Sequence, residues 1–234
     1  MNNKNRKFDE FDHFANEYRE IHNKNLKLSG VDSDYFSEHK IQILKENEKI
    51  DTIDLLDFGC GDGNSAEFFN KYFKNSTYKG IDISSESINV AKTKDFVNTE
   101  FQIFDGINIP FNDNSMDVVF TACVFHHINF KLHENLLDEI YRVLKPGGRF
   151  YIFEHNPWNP VTRHMVNTCP FDKDAVLLSH KYTRKILKEA KFNKIETNFI
   201  LFFPRHKFFK PFLQLEPKLN KIPFGGQYYI KGIK

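Results

Sequence analysis

The chain has 234 residues, 40% hydrophobic and 27% charged, which excludes a disordered segment and suits one α/β domain with a sizeable core. Its 33 basic and 31 acidic residues leave a net charge of +2, a balance that gives no general reason to expect nucleic acid. Cys60, Cys123 and Cys169 have no paired spacing, residues 1–25 are charged and polar, and no apolar stretch approaches the roughly 18–20 residues that span a bilayer. The expectation is a cytoplasmic protein with free thiols, no signal peptide and no membrane-spanning segment.

Phe8, Phe11, Phe14, Ala15, Tyr18 and Ile21 fall on one face of a helix over residues 8–23. A second helix carries Tyr35, Phe36, Ile41, Ile43 and Leu44, so residues 1–50 form a helical cap before the first strand. Strands and helices then alternate. The spacing predicts strands at 53–58, 77–83, 100–104, 116–122 and 149–154, with helices at 63–74, 85–93 and 132–144. Ser84 or Ser85 is the N-cap of the second of these helices. Lys145-Pro146-Gly147-Gly148 reads as a helix stop and turn. The stretch 155–181 has little periodicity and exceeds an ordinary connection, which marks a functional loop or lid. A helix at 182–190 and strands at 194–203 and 226–233 end the chain. Repeated β-α-β units imply a parallel sheet covered by helices on both faces. Residues 1–234 thus read as a single domain: the cap, a ligand-binding core at 51–155, a lid at 156–181, and a C-terminal helix and strands at 182–234.

The most informative residues are Leu55-Leu56-Asp57-Phe58-Gly59-Cys60-Gly61-Asp62-Gly63. A buried strand running into alternate glycines and then a helix lets backbone approach a nucleotide-like ligand closely. A dinucleotide site wants G-x-G-x-x-G, but here the spacing is G-x-G-x-G with Asn64 following, which favours a single nucleoside-like ligand. Asp82 ends the next strand, where an acid either accepts both ribose hydroxyls or caps a turn. Asp105-Gly106 ends the third strand and is either an adenine-edge contact or a simple turn. The 26 phenylalanines build an aromatic core or the walls of a substrate pocket. The basic C-terminal stretch, Arg205 to Lys234, is a solvated face or the mark of an anionic substrate.

Together these motifs resemble the class I S-adenosylmethionine-dependent methyltransferases. The glycine motif, Gly80-Ile81-Asp82-Ile83-Ser84, Asp105-Gly106, Met116-Asp117-Val118-Val119-Phe120 with Phe125-His126-His127-Ile128, and Glu139 to Gly148 carry the resemblance over residues 50–155. It implies a Rossmann-like three-layer sandwich whose seven-stranded, mostly parallel sheet ends in an antiparallel strand. It also implies S-adenosyl-L-methionine as cofactor and S-adenosyl-L-homocysteine as product. Asp57, Gly59, Cys60 and Gly61 would lie against the methionine part of the cofactor, Asp82 would hold the ribose, and Ile83 would pack on the adenine. Asp105 and Gly106 would bind the adenine edge, and Cys123 and Val124 would flank the sulfonium. Tyr18 either closes over the cofactor or is a core aromatic.

An oxygen or nitrogen acceptor requires alignment and often a base. His126, His127 and His155 are the candidate bases, and at most one residue of each neighbouring pair is expected to face the pocket. Glu154, Trp158 and Arg163 are candidate substrate contacts: Trp158 by stacking and Arg163 by charge. No zinc-type spacing is present, and residues 121–128 hold no carboxylate, so no metal is expected. The reading is transfer of a methyl group to an oxygen of a small molecule such as a sugar or phosphorylated intermediate. The alternatives are an RNA or protein methyltransferase, or a cofactor-binding protein without catalysis. Nucleic acid is disfavoured because the Asn-Pro-Pro-Tyr type of signature is absent after the fourth strand. The sequence leaves the oligomeric state open.

Overall fold

The computed structural model describes residues 33–50, 52–169, 172, 174–205 and 207–234; the expected helix over residues 8–23, with Tyr18, lies outside them. Helix α1 (Ser33–Asn47) leads into β1 (Asp54–Phe58), α2 (Asn64–Tyr72), β2 (Thr77–Asp82), α3 (Ser85–Lys92), β3 (Thr99–Ile103) and β4 (Met116–Ala122). Then come α4 (Phe130–Val143), β5 (Leu144–His155), α5 (Pro160–Thr168), α6 (His180–Glu189), β6 (Asn193–Ile200), the short α7 (Lys210–Leu213) and α8 (Glu216–Leu219), and β7 (Gln227–Ile233). The strands lie in the order β3-β2-β1-β4-β5-β7-β6. The first five are parallel and β7 is antiparallel to both β5 and β6. This is the expected seven-stranded sheet with its antiparallel last strand.

Side chains alternate between two apolar layers because the strand period is two. On one face Leu56, Val119, Phe150, Ile152 and Ile230 pack beneath Leu136, Leu137 and Ile140 of α4 and Leu187 of α6. On the other, Leu55, Tyr78, Val118, Tyr151 and Phe153 meet Ile41 and Leu44 of α1, Phe69 of α2 and Ile88 of α3. Being buried on both faces is what makes these strands near-continuous apolar runs. Each such fully buried side chain contributes about 1.5–3 kcal/mol. Ser84 is the cap of α3, accepting from Ser87 N–H at 3.1 Å.

Two expectations are corrected. The Lys145–Gly148 stretch lies inside β5 as a bulge, where pairing jumps from Met116↔Leu144 to Val118↔Arg149; Gly147, at φ 78°, makes the irregular step. Residues 155–181 are not all loop: Asn159 caps Thr162 N–H at 3.0 Å and Pro160 starts α5, a proline-at-N1 start that the irregular hydrophobic pattern hid.

Candidate active site

The strand order reverses between β1 and β4, and in an open α/β sheet the crevice at that reversal takes the ligand. The loop after β1 and the segment after β4 meet there. Gly59 has φ 78°, and a Cβ on it would lie 2.5 Å from a methyl of Val124. Gly61 differs: at φ 54°, its Cβ direction has no atom of the described residues within 4 Å, and its N–H donates to Asp82 at 2.9 Å. The other Asp82 oxygen accepts from Ser84 N–H at 2.9 Å. The glycine loop is therefore pinned to the end of β2, and no described residue covers the outer side of Gly61. Cys60 is buried, and burial pushes its thiol well up.

Asp57 is buried behind this loop and accepts a short hydrogen bond from the Tyr78 hydroxyl. Desolvation raises its carboxyl to about 7, against the pull of that hydroxyl. Cys123 ends β4 in the left-handed region at φ 59°, strain that a non-glycine residue holds only where its surroundings fix it. Burial raises its thiol too. Around it converge Lys40 Nζ at 3.9 Å and Gln227 Nε2 at 3.7 Å from Sγ, and Gln227 also reaches His155 Nδ1 at 3.4 Å.

The turn Phe125–His127 carries the histidine pair. His126 is 2% exposed and Glu154 0%. Nδ1 of His126 lies 2.5 Å from one Glu154 oxygen, while the other accepts from Phe125 N–H at 3.0 Å. Asp172 faces both rings, 3.6 Å from His126 Nε2 and 3.4 Å from His127 Nε2. Burial pulls the His126 pKa down, but the carboxylates of Glu154 and Asp172 outweigh it and hold the ring at about 10. Desolvation raises Asp172, but the hydrogen bond from His126 and the charges of the facing imidazoles outweigh it and bring it to about 2. Desolvation, then the charge on His126, brings His127 to about 3 and His155 to about 4. The two carboxylates thus favour a positive charge at His126, and His127 and His155 are neutral imidazoles able to accept a proton or hydrogen bond.

Several expectations change at this level. His126 and His127 do not diverge: their ring centroids are 4.2 Å apart and both face Asp172, because the tight turn keeps neighbouring side chains on one side. His155 joins them, 5.3 Å from His126. Glu154 touches His126 and backbone rather than an open cleft. Asp105 spends one oxygen on Ile107 and Asn108 N–H, each at 2.7 Å, and the other on the Asn108 amide at 3.0 Å; it forms its own turn beside Gly106. Ile83 lies 3.7 Å from where a Cβ on Gly106 would stand. Trp158 is 43% exposed and packs edge-on against His180 at 4.7 Å, and Arg163 is exposed on α5. Neither of the two joins the histidine cluster in the described contacts. Sequence reasoning missed Lys40, Gln227 and Asp172. Only Asp172 carried a hint, as an acid within the long stretch after β5.

The open face of Gly61, with Asp82 beside it and buried Lys40 near Cys123, fits a nucleoside-bearing cofactor with a polar tail. Residues 56–152 match the methyltransferase domain family. A fatty-acid O-methyltransferase of Mycolicibacterium smegmatis is 32% identical over 104 residues, 44% of this chain and 37% of that enzyme. A demethylmenaquinone methyltransferase of Thermotoga maritima is 33% identical over 150 residues, 64% of this chain and 61% of that enzyme. The chain spans less than half the length of the first curated relatives it matches. In fold it is similar to a SAM-dependent methyltransferase of Archaeoglobus fulgidus, with a TM-score of 0.69 at 20% identity over 89% of this chain and 97% of that one. Glycine loop, strand order and domain match agree: residues 56–152 match the methyltransferase domain family, and the fold is the one seen in S-adenosylmethionine-dependent methyltransferases of known structure.

Proposed function

We propose that this protein is an enzyme that transfers a methyl group to an oxygen of a small-molecule acceptor. When bound, S-adenosylmethionine supplies an electrophilic methyl on a sulfonium centre. The observation that carries the reading is the meeting, at one strand-order reversal, of the open glycine loop with buried neutral imidazoles. Asp82 accepts from the ribose hydroxyls. Lys40 supplies the buried positive charge that a carboxylate or an anionic acceptor such as a phosphorylated sugar requires. His155, neutral near Cys123, receives the acceptor hydroxyl's proton at Nε2 in the tautomer whose Nδ1–H donates to the Gln227 amide oxygen, the amide being turned to face it. Glu154 and His126 fix the turn that positions His127. The crevice itself excludes water and aligns the acceptor, which is most of what an already activated donor requires. The relatives' names, a fatty-acid and a demethylmenaquinone methyltransferase, support small acceptors as a class. Cys60, Cys123 and Cys169, which have no paired spacing, support a reducing, cytoplasmic setting. Among the described residues no helix is long and apolar enough to cross a membrane.

The test is methyl transfer from isotope-labelled cofactor to a panel of hydroxylated lipids, quinols, sugars and sugar phosphates. Labelled ether or ester product, reduced 100-fold or more by His155→Ala, is expected. Transfer to RNA or protein alone would contradict the reading.

A further inference from the structure

We propose that His126, His127 and Asp172 form a binding site for one divalent metal ion of the zinc class. The three side chains each offer a donor atom, and these atoms lie within 4.8 Å of one another. Two ligands about 2.1 Å from a tetrahedral metal stand about 3.4 Å apart. Asp172 Oδ1 is 3.4 Å from His127 Nε2 and 3.6 Å from His126 Nε2, the spacing of ligands that share an ion and too long for good hydrogen bonds. Among the described residues His126 Nε2 is buried without a hydrogen-bond partner, a costly state for a polar atom unless a ligand completes it.

The support around the ligands is that of a metal site. Glu154 holds Nδ1 of His126, the carboxylate–histidine arrangement that fixes ring orientation and leaves Nε2 to coordinate. Phe125 N–H fixes Glu154 in turn. Asp172 is held by its N–H to Cys169 O at 3.2 Å and by Ala175 N–H to its own carbonyl at 2.9 Å; Val176 N–H donates to His126 O at 2.9 Å, tying this segment to the histidine turn. Two imidazoles and one carboxylate suit zinc, iron(II) or cobalt(II) over magnesium or calcium, which favour all-oxygen shells. The expectation of no metal rested on the lack of zinc-type spacing and on residues 121–128 holding no acid; the acid arrives instead from the segment after α5. Three protein ligands leave a fourth position open. On the methyl-transfer reading above, that position takes the acceptor oxygen and makes its proton easier to lose to His155.

The experiment uses untagged full chain, stripped with a chelator and titrated with cobalt(II) and, separately, zinc(II). Cobalt d–d absorption saturating at one ion per chain is expected. His127→Ala and Asp172→Asn should each weaken binding at least 100-fold, and Glu154→Gln about 10- to 100-fold. Thermal melts verify folding of each variant, and Asp172→Asn, outside the core, is the variant least able to disturb it. No saturable cobalt band, or binding that survives both ligand substitutions in folded protein, overturns the site. Cofactor affinity, measured by calorimetry on the same samples, is expected to be unchanged by these substitutions. Metal binding without cofactor binding would leave this site standing and remove the methyl-transfer reading instead.

Discussion

Asp57 shows how a single buried group ties the cofactor loop to stability. Its carboxyl, raised to about 7 by burial, keeps its proton in the folded state at pH values where the unfolded chain has lost it. The folded state therefore binds more protons, and stability from this group is full below about pH 4 and declines as pH rises to about 7. A shift of about three units corresponds to about 4 kcal/mol. In urea unfolding across pH 4–8, Asp57→Asn should lack this decline, so its stability relative to wild type climbs towards pH 7 and then levels. Parallel curves for the two proteins would contradict the assignment. Legibility at this scale divided by context. Asp82 was readable because an acid at a strand end, shortly after a glycine turn, has a fixed register relative to that turn. Lys40 was not, because a lysine in an amphipathic helix reads as solvated, and only the packing of α1 over the strand ends buries it. Asp172 was unreadable for a different reason: in a segment without periodicity, nothing local fixes which element it meets.

The loop between β1 and α2 assigns different work to glycines that look alike in sequence. A methyl at Gly59 collides with Val124, whereas one at Gly61 meets no atom of the described residues. Gly61→Ala should thus cost the fold only the backbone strain of φ 54°, about 1–2 kcal/mol, while obstructing the cofactor. Gly59→Ala should add the clash to a similar strain and melt lower. Thermal melts paired with calorimetry separate the two: Gly61→Ala is expected to stay folded and to lose most cofactor affinity. Retention of wild-type affinity by Gly61→Ala would place the cofactor elsewhere. Elements with strong periodicity, such as β4 at Met116–Ala122 and the apolar face of α4, stood where the sequence put them. The bulge at Lys145–Gly148 did not, since a proline-glycine stop signals a break in a helix equally well whether a turn or an irregular strand follows. Helix α5 was hidden because only its Asn159-Pro160 start is distinctive.

Across the whole molecule, the sheet and its two apolar layers were legible because the central parallel strands β1, β4 and the later part of β5 are buried on both faces, which writes itself as near-continuous apolar sequence. The acceptor side was not, because it is assembled from α1, β5, the segment after α5 and β7, which share no motif. The same assembly predicts that ligand binding is felt globally. Cofactor at about 100 times its dissociation constant should stabilise the fold by about 2.7 kcal/mol, raising the melting temperature by about 5–10 °C for a chain of this size. An unchanged melt at that excess would speak against specific binding. The most direct measurement is titration calorimetry of S-adenosylmethionine into the 234-residue protein and into Asp82→Ala. Saturable binding of one cofactor per chain, weakened about 10- to 100-fold by loss of the Asp82 carboxylate, is the expected result. No detectable binding to the wild-type protein, or equal affinity in the two proteins, would contradict the account.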